Sequence, residues 1–220
     1  MRYLKKLLLS LNEIFLVLII QYILLIGVIL LIGTDKSIIW GSIVLMIFEV
    51  MYIISKSKSM QISTHNIVYF PYLLLGIALA IIYNMIIFKL GIKFDTIDKM
   101  PIAFNILCSG IIGPVFEEIL FRYSLINKLE KFNSKIMVII LSSLIFGFFH
   151  NNIATIIYAT IVGFVNSYLY LKNKDIIVPI MVHISGNIIV NLLLGYNLWI
   201  FVLGIMLLVV SILIIQRENC

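Results

Sequence analysis

Three short motifs between residues 113 and 187 combine side chains that can move protons and stabilise charge. "GPVFEEILFR", residues 113–122, sets two adjacent carboxylates and a guanidinium in an otherwise apolar stretch. "FGFFH" ends on His150, and "HISGN" places His183 four residues before Asn187. A carboxylate can take a proton from water, an imidazole can relay it, and an amide can donate to a developing anion. At helical spacing Glu118 and Arg122 fall on one face at i, i+4, while Glu117 is turned about 100° away. Glu118 thus has a built-in counter-ion and Glu117 has none, which makes Glu117 the candidate base. Pro114 removes one helical hydrogen bond. In an α-helix it leaves the Gly110 carbonyl free, and a loosened or kinked segment is predicted just before the glutamates.

The elements that must position these groups are membrane spans. The 220-residue chain is 63% hydrophobic and only 12% charged, whereas a soluble domain carries about a quarter charged residues. Apolar runs fall at 14–33, 38–54, 67–88, 101–125, 136–150, 153–171, 176–194 and 197–215, each long enough to be read as a helix in a bilayer core of about 30 Å. The expected fold is an all-α polytopic membrane protein of about eight transmembrane helices. With the N-terminus inside, Arg2, Lys5, Lys6, Lys56, Lys58, Lys128, Lys131, Lys135, Lys172, Lys174 and Arg217 are cytoplasmic, against Lys36, Lys89, Lys93 and Lys99 outside. Eleven against four places both termini in the cytoplasm. The basic start lacks a small-residue cleavage pattern and reads as a retained first span.

The net charge of +6 therefore reports orientation. Its lysines are dispersed over short loops and form no face for nucleic acid. Cys108 and Cys220 give neither a disulfide framework nor a metal motif. Residues 1–220 read as a single membrane domain, with scaffold spans over 1–100, a chemical core over 101–194, and a final span and tail over 195–220.

An ionisable group at membrane depth costs about 2.5–3.5 kcal/mol on insertion scales and is a functional candidate by default. Glu117, Glu118 and Arg122 qualify. A structural pair with a snorkelling neighbour would account for them alone, and each histidine alone could be a packing residue. Two histidines and a carboxylate pair in three different spans are harder to assign to packing. Glu49 reads as reaching the inner interface, His65 as a solvated loop residue, and Asn166 and Asn191 as interhelical hydrogen-bonding groups. Ser142, Ser143, Gly147, Ala159, Gly163, Ser185 and Gly186 let helices approach closely. Neither a G-x-S-x-G elbow nor an H-E-x-x-H zinc motif occurs.

In order and spacing, Glu117-Glu118-x-x-x-Arg122, Phe146-x-x-x-His150 and His183-x-x-x-Asn187 resemble the CAAX protease and bacteriocin-processing family of intramembrane proteases. This family, also called Abi, includes the CAAX prenyl endopeptidases. The resemblance spans 101–194 and implies that Glu117 with His150 activates a water, that His183 and Asn187 stabilise the oxyanion, and that Glu118 and Arg122 support them. Tyr123 stands where family members often carry a small residue, which bears on substrate more than on mechanism. Some members have been described as metalloproteases, so zinc at Glu117, His150 and His183 is the alternative to the preferred reading without a cofactor.

The implied partners are membrane lipid and a hydrophobic or lipidated peptide, a bacteriocin precursor or a membrane-protein substrate. The implied location is a bacterial plasma membrane, with the site reached from the cytoplasm. Competing readings are a non-catalytic bacteriocin-immunity or membrane binding protein, an acyltransferase using the same site, and a proton-coupled carrier. One spacing conflict accompanies the expectation: at 1.5 Å per residue, His183 and Glu117 lie roughly 11 Å from the inner end and His150 roughly 21 Å.

Overall fold

The computed structural model describes residues 2–60, 67–92, 100–193 and 195–217; His65, Lys93, Lys99 and Cys220 lie outside the described residues. Among these residues the chain forms eight helices. They are α1 (Arg2–Ile32), α2 (Thr34–Ser57), α3 (Phe70–Lys89), α4 (Ile102–Leu129), α5 (Lys135–Phe148), α6 (Ile153–Asn173), α7 (Ile177–Leu192) and α8 (Leu198–Arg217). Six are long and apolar enough to cross a membrane; α5 and α7 are shorter. Their 14 and 16 residues reach about 21 and 24 Å, short of a full bilayer core. His183 lies on α7, and His150 follows the end of α5.

Opposite ends of the bundle are marked by their charges. Glu13 on α1 binds Lys56 from α2, Lys128 from α4 at 2.8 Å and the Tyr52 hydroxyl at 2.9 Å. Lys174, after α6, pairs with Glu130, after α4, at 2.8 Å. Lys89, expected outside, lies 6.0 Å from the Tyr196 ring beside the start of α8, a residue that the same topology places on that side. The first helix starts well before the apolar run at 14–33, because Tyr3 donates to Asn133 at 2.9 Å and packs edge-on against Phe132.

Close crossings fix α5, α6 and α7. Ser134 caps α5 and Asn152 with Thr155 forms a capping box on α6, satisfying donors that a helix start leaves unpaired. Between α5 and α6, Ser142 and Ser167 share a hydrogen bond of 2.9 Å, and Gly163 lies against the Ser143 backbone. A methyl group on Gly76 of α3 would collide with the Val182 carbonyl and Ser185 Oγ of α7, so these backbones touch where Gly186 also passes. Buried Asp175 accepts from the Ile177 amide at 2.7 Å and from the Tyr69 hydroxyl at 3.0 Å, tying the starts of α7 and α3 together.

The fourth helix is not uniformly α-helical. Ile106–Ile112 and Ile119–Ile126 are π-helical, and the turn Gly113–Glu118 between them is α-helical. Wide turns of this kind are rare and cluster at functional sites. The irregularity predicted from Pro114 is therefore present, as a change of hydrogen-bond register.

Candidate active site

Glu117 and Glu118 close the α-helical turn of α4. Glu118 and Arg122 are both fully buried, with Arg122 Nε 3.1 Å from Glu118 Oε2 across the i, i+4 spacing. That contact lacks hydrogen-bond alignment, and among the described residues no group accepts a hydrogen bond from the guanidinium. Arg122 instead lies 4.5 Å from the centroid of the Phe146 ring, where a desolvated cation is attracted by the ring face. Ion pairing and an aromatic platform hold the one fully buried cation among the described residues.

The other oxygen of Glu118 is shared. His183 Nδ1 lies 2.8 Å from Oε1, and Asn166 Nδ2 donates to the same atom at 3.0 Å. Asn166 also donates to the Pro179 carbonyl at 3.2 Å, linking α6, α7 and α4. A carboxylate only accepts, so Nδ1 of His183 carries the hydrogen. This tautomer turns Nε2 toward Glu117, whose Oε2 is 3.8 Å away. Glu117 is the exposed member of the dyad, its side chain 34% accessible against 0% for Glu118.

His150 stands apart from this group. It follows the end of α5, and its Nδ1 bonds back to the Phe146 carbonyl at 3.1 Å. It makes no hydrogen bond or ion pair with Glu117, so the expected Glu117–His150 couple is not formed in this geometry; His183 is the imidazole beside Glu117. Phe146 bridges the two histidines, with centroids 5.1 Å from His150 and 5.7 Å from His183. This shared ring brings together residues whose depths appeared mismatched by counting along spans. Asn187, one turn beyond His183, donates through Nδ2 to the Ser109 carbonyl at 3.0 Å. The six residues singled out from the sequence thus lie on α4, α7 and the end of α5 around Phe146, with His150 and Asn187 at the edge.

Asn166 and Phe146 complete the arrangement. The sequence marks Asn166 as an interhelical donor, but nothing in its spacing identifies Glu118 as the acceptor. Glu49 accepts from Gln21 on α1 at 3.3 Å and lies within electrostatic reach of Glu117. Tyr123 points away from the dyad and donates to the Ser59 carbonyl at 2.7 Å, in the wall of a polar cavity of about 280 Å³ with Asn127, Tyr170 and Lys174. Among the described residues no three His, Cys, Asp or Glu side chains gather as a metal-ligand set. Glu117, His150 and His183 therefore do not fit a zinc ion in this arrangement.

Residues 99–189 match the family described as "Type II CAAX prenyl endopeptidase Rce1-like". Over 93 residues the chain is 34% identical to "Putative membrane peptidase YdiL" of Bacillus subtilis (strain 168), a match covering 42% of this chain and 37% of that protein. No solved structure matches the chain.

Proposed function

We propose, from the match of residues 99–189 to the Rce1-like CAAX prenyl endopeptidase family, that the chain is an intramembrane endopeptidase of the CAAX protease and bacteriocin-processing family acting by glutamate-activated water. One observation carries the mechanism: Glu118 fixes His183 through Nδ1, so that Nε2 faces Glu117 across 3.8 Å. That separation is too long for a direct hydrogen bond and suits a water bonded to both groups.

Glu117 accepts a proton from this water as its oxygen attacks the scissile carbonyl carbon. The C–N bond then breaks, the proton passes to the leaving amine, and the new acid and amine account for every atom of the water added. Asn187 supplies an amide donor one turn from His183, where the carbonyl oxygen gains charge. Arg122 is buried behind Glu118 and holds that carboxylate in place without touching the reacting atoms. His150 lies against Phe146 with its Nδ1 held by the Phe146 carbonyl. In this proposal His183 takes the place beside Glu117 that the family resemblance gives to His150.

The substrate is a hydrophobic or lipidated peptide presented within the membrane. The test uses purified full-length protein in detergent with a quenched-fluorescent farnesylated CAAX peptide and an unlipidated apolar peptide. Cleavage by the wild type and loss of at least 100-fold in Glu117→Gln is expected. Equal rates for the two proteins would remove Glu117 from the chemistry, and binding without cleavage would favour the non-catalytic reading.

A further inference from the structure

We infer that Pro114 is a positioning residue, which frees the Ser109 carbonyl so that it can hold Asn187 at the reacting oxygen. The inference rests on the role for Asn187 proposed above. It follows from the hydrogen-bond register of α4. The segment Ile106–Ile112 is π-helical, a register in which an amide bonds five residues back, and the run ends with the Gly113 amide on the Cys108 carbonyl. The next bond in that register would join the amide of residue 114 to the carbonyl of Ser109. Residue 114 is proline and has no amide hydrogen.

Ser109 is also deprived of the alternative. In an α-helical register its carbonyl would receive the Gly113 amide, but that donor is committed to Cys108. The freed carbonyl is thus displaced by one residue from Gly110, where a regular α-helix would put it. Asn187 Nδ2 fills the vacancy in the ladder at 3.0 Å. Because a carbonyl only accepts, this bond fixes which end of the Asn187 side chain is the amide nitrogen. One N–H is held by Ser109 and the second remains for a substrate oxygen.

Neighbouring bonds brace the same contact. Asn191 donates to the Asn187 carbonyl at 2.8 Å, Asn105 donates to Asn191 Oδ1 at 2.6 Å, and Ser109 Oγ donates to the Asn105 carbonyl at 2.8 Å. The ladder joins α4 to α7 on the side of the dyad away from Arg122. Pro114 is buried within α4, three residues before Glu117. A single proline therefore sets both the helix register that precedes the base and the orientation of the amide donor.

Pro114→Ala tests this, with Pro114→Gly as a second route to a restored amide. Either substitution lets residue 114 donate to Ser109 in competition with Asn187, which loosens the hold on its amide. The expected result on the farnesylated peptide is a fall in kcat of about tenfold or more, since small misplacements of reacting groups can cost about 100-fold. KM should change little, and the midpoint of thermal unfolding should be unchanged or higher, because a helical hydrogen bond is gained.

In an Asn187→Ala background, Pro114→Ala should have no further effect on kcat. Loss of activity together with a lower unfolding midpoint in both variants would make the proline merely structural. An independent effect of Pro114→Ala in the Asn187→Ala background would also overturn the inference. If Asn187→Ala lowers kcat and both proline variants keep wild-type kcat, only this inference fails. Full activity in Asn187→Ala would remove the donor role on which it rests.

Discussion

Removing either partner of the Glu118–Arg122 pair should destabilise the protein by unequal amounts, with the larger loss when the carboxylate is taken. In Glu118→Gln the guanidinium stays buried with only the Phe146 ring and the partly exposed Glu117 charge to stabilise it, since among the described residues no group accepts a hydrogen bond from it. Breaking a buried pair by deleting one partner costs about 3–5 kcal/mol. In Arg122→Met the carboxylate keeps His183 at 2.8 Å and Asn166 at 3.0 Å as donors. Hydrogen bonds to charged groups contribute about 1.5–3 kcal/mol, so the net loss there is reduced to about 1–2 kcal/mol.

For a chain of this size each kilocalorie moves the unfolding midpoint by about 2–4 °C. Glu118→Gln should therefore fall by about 6–20 °C and Arg122→Met by about 2–8 °C. The double variant should recover much of the larger loss, because no unpaired charge remains. Thermal unfolding in one detergent, followed by reaction of Cys108 with a maleimide dye in a Cys220→Ser background, measures all three. Equal losses in the single variants, or a double variant with the summed loss, would refute the assignment of Glu118 as the group that keeps Arg122 tolerable inside the membrane.

Other outcomes follow from the same contacts. Glu117→Gln should abolish hydrolysis yet shift the unfolding midpoint little, because Glu117 is 34% exposed and its contact with His183 is 3.8 Å; melting curves beside rate assays check both halves. Asn166→Leu should lower kcat by about tenfold or more with a smaller effect on KM, since Glu118 loses one of the two donors that fix its orientation beside His183. Gly76→Ala should destabilise by about 1–3 kcal/mol and reduce activity together, as its methyl group displaces the α7 backbone at Val182. Prolonged dialysis against a zinc chelator should leave the peptide cleavage rate unchanged, and loss restored by zinc would reject the water mechanism as drawn.

The helices were legible because long apolar runs separated by charged loops have few other uses, and all eight runs have a matching helix. Their ends were less so: the start of α1 depends on Tyr3 meeting Phe132 and Asn133, a contact between residues far apart in the chain. The Glu118–Arg122 pair followed from helical spacing alone. Which histidine adjoins Glu117 did not, because it depends on α5 ending at Phe148 and on the tautomer that Glu118 imposes on His183. Pro114 signalled a disturbance, but the displacement of the free carbonyl to Ser109 required the π-helical register. The contribution of α3 was also hidden, since Gly76 reads as one of many small residues until its crossing with α7 is seen.

Hydrolysis of the farnesylated peptide in ¹⁸O-labelled water offers the most direct test that Glu117, facing the Glu118-held His183, activates water for peptide cleavage. Wild-type protein should place one heavy oxygen in the new carboxyl terminus, read by mass spectrometry of the fragment, and Glu117→Gln should yield no labelled fragment above background. A wild-type product lacking the label, or a variant producing it at the same rate, would contradict the mechanism.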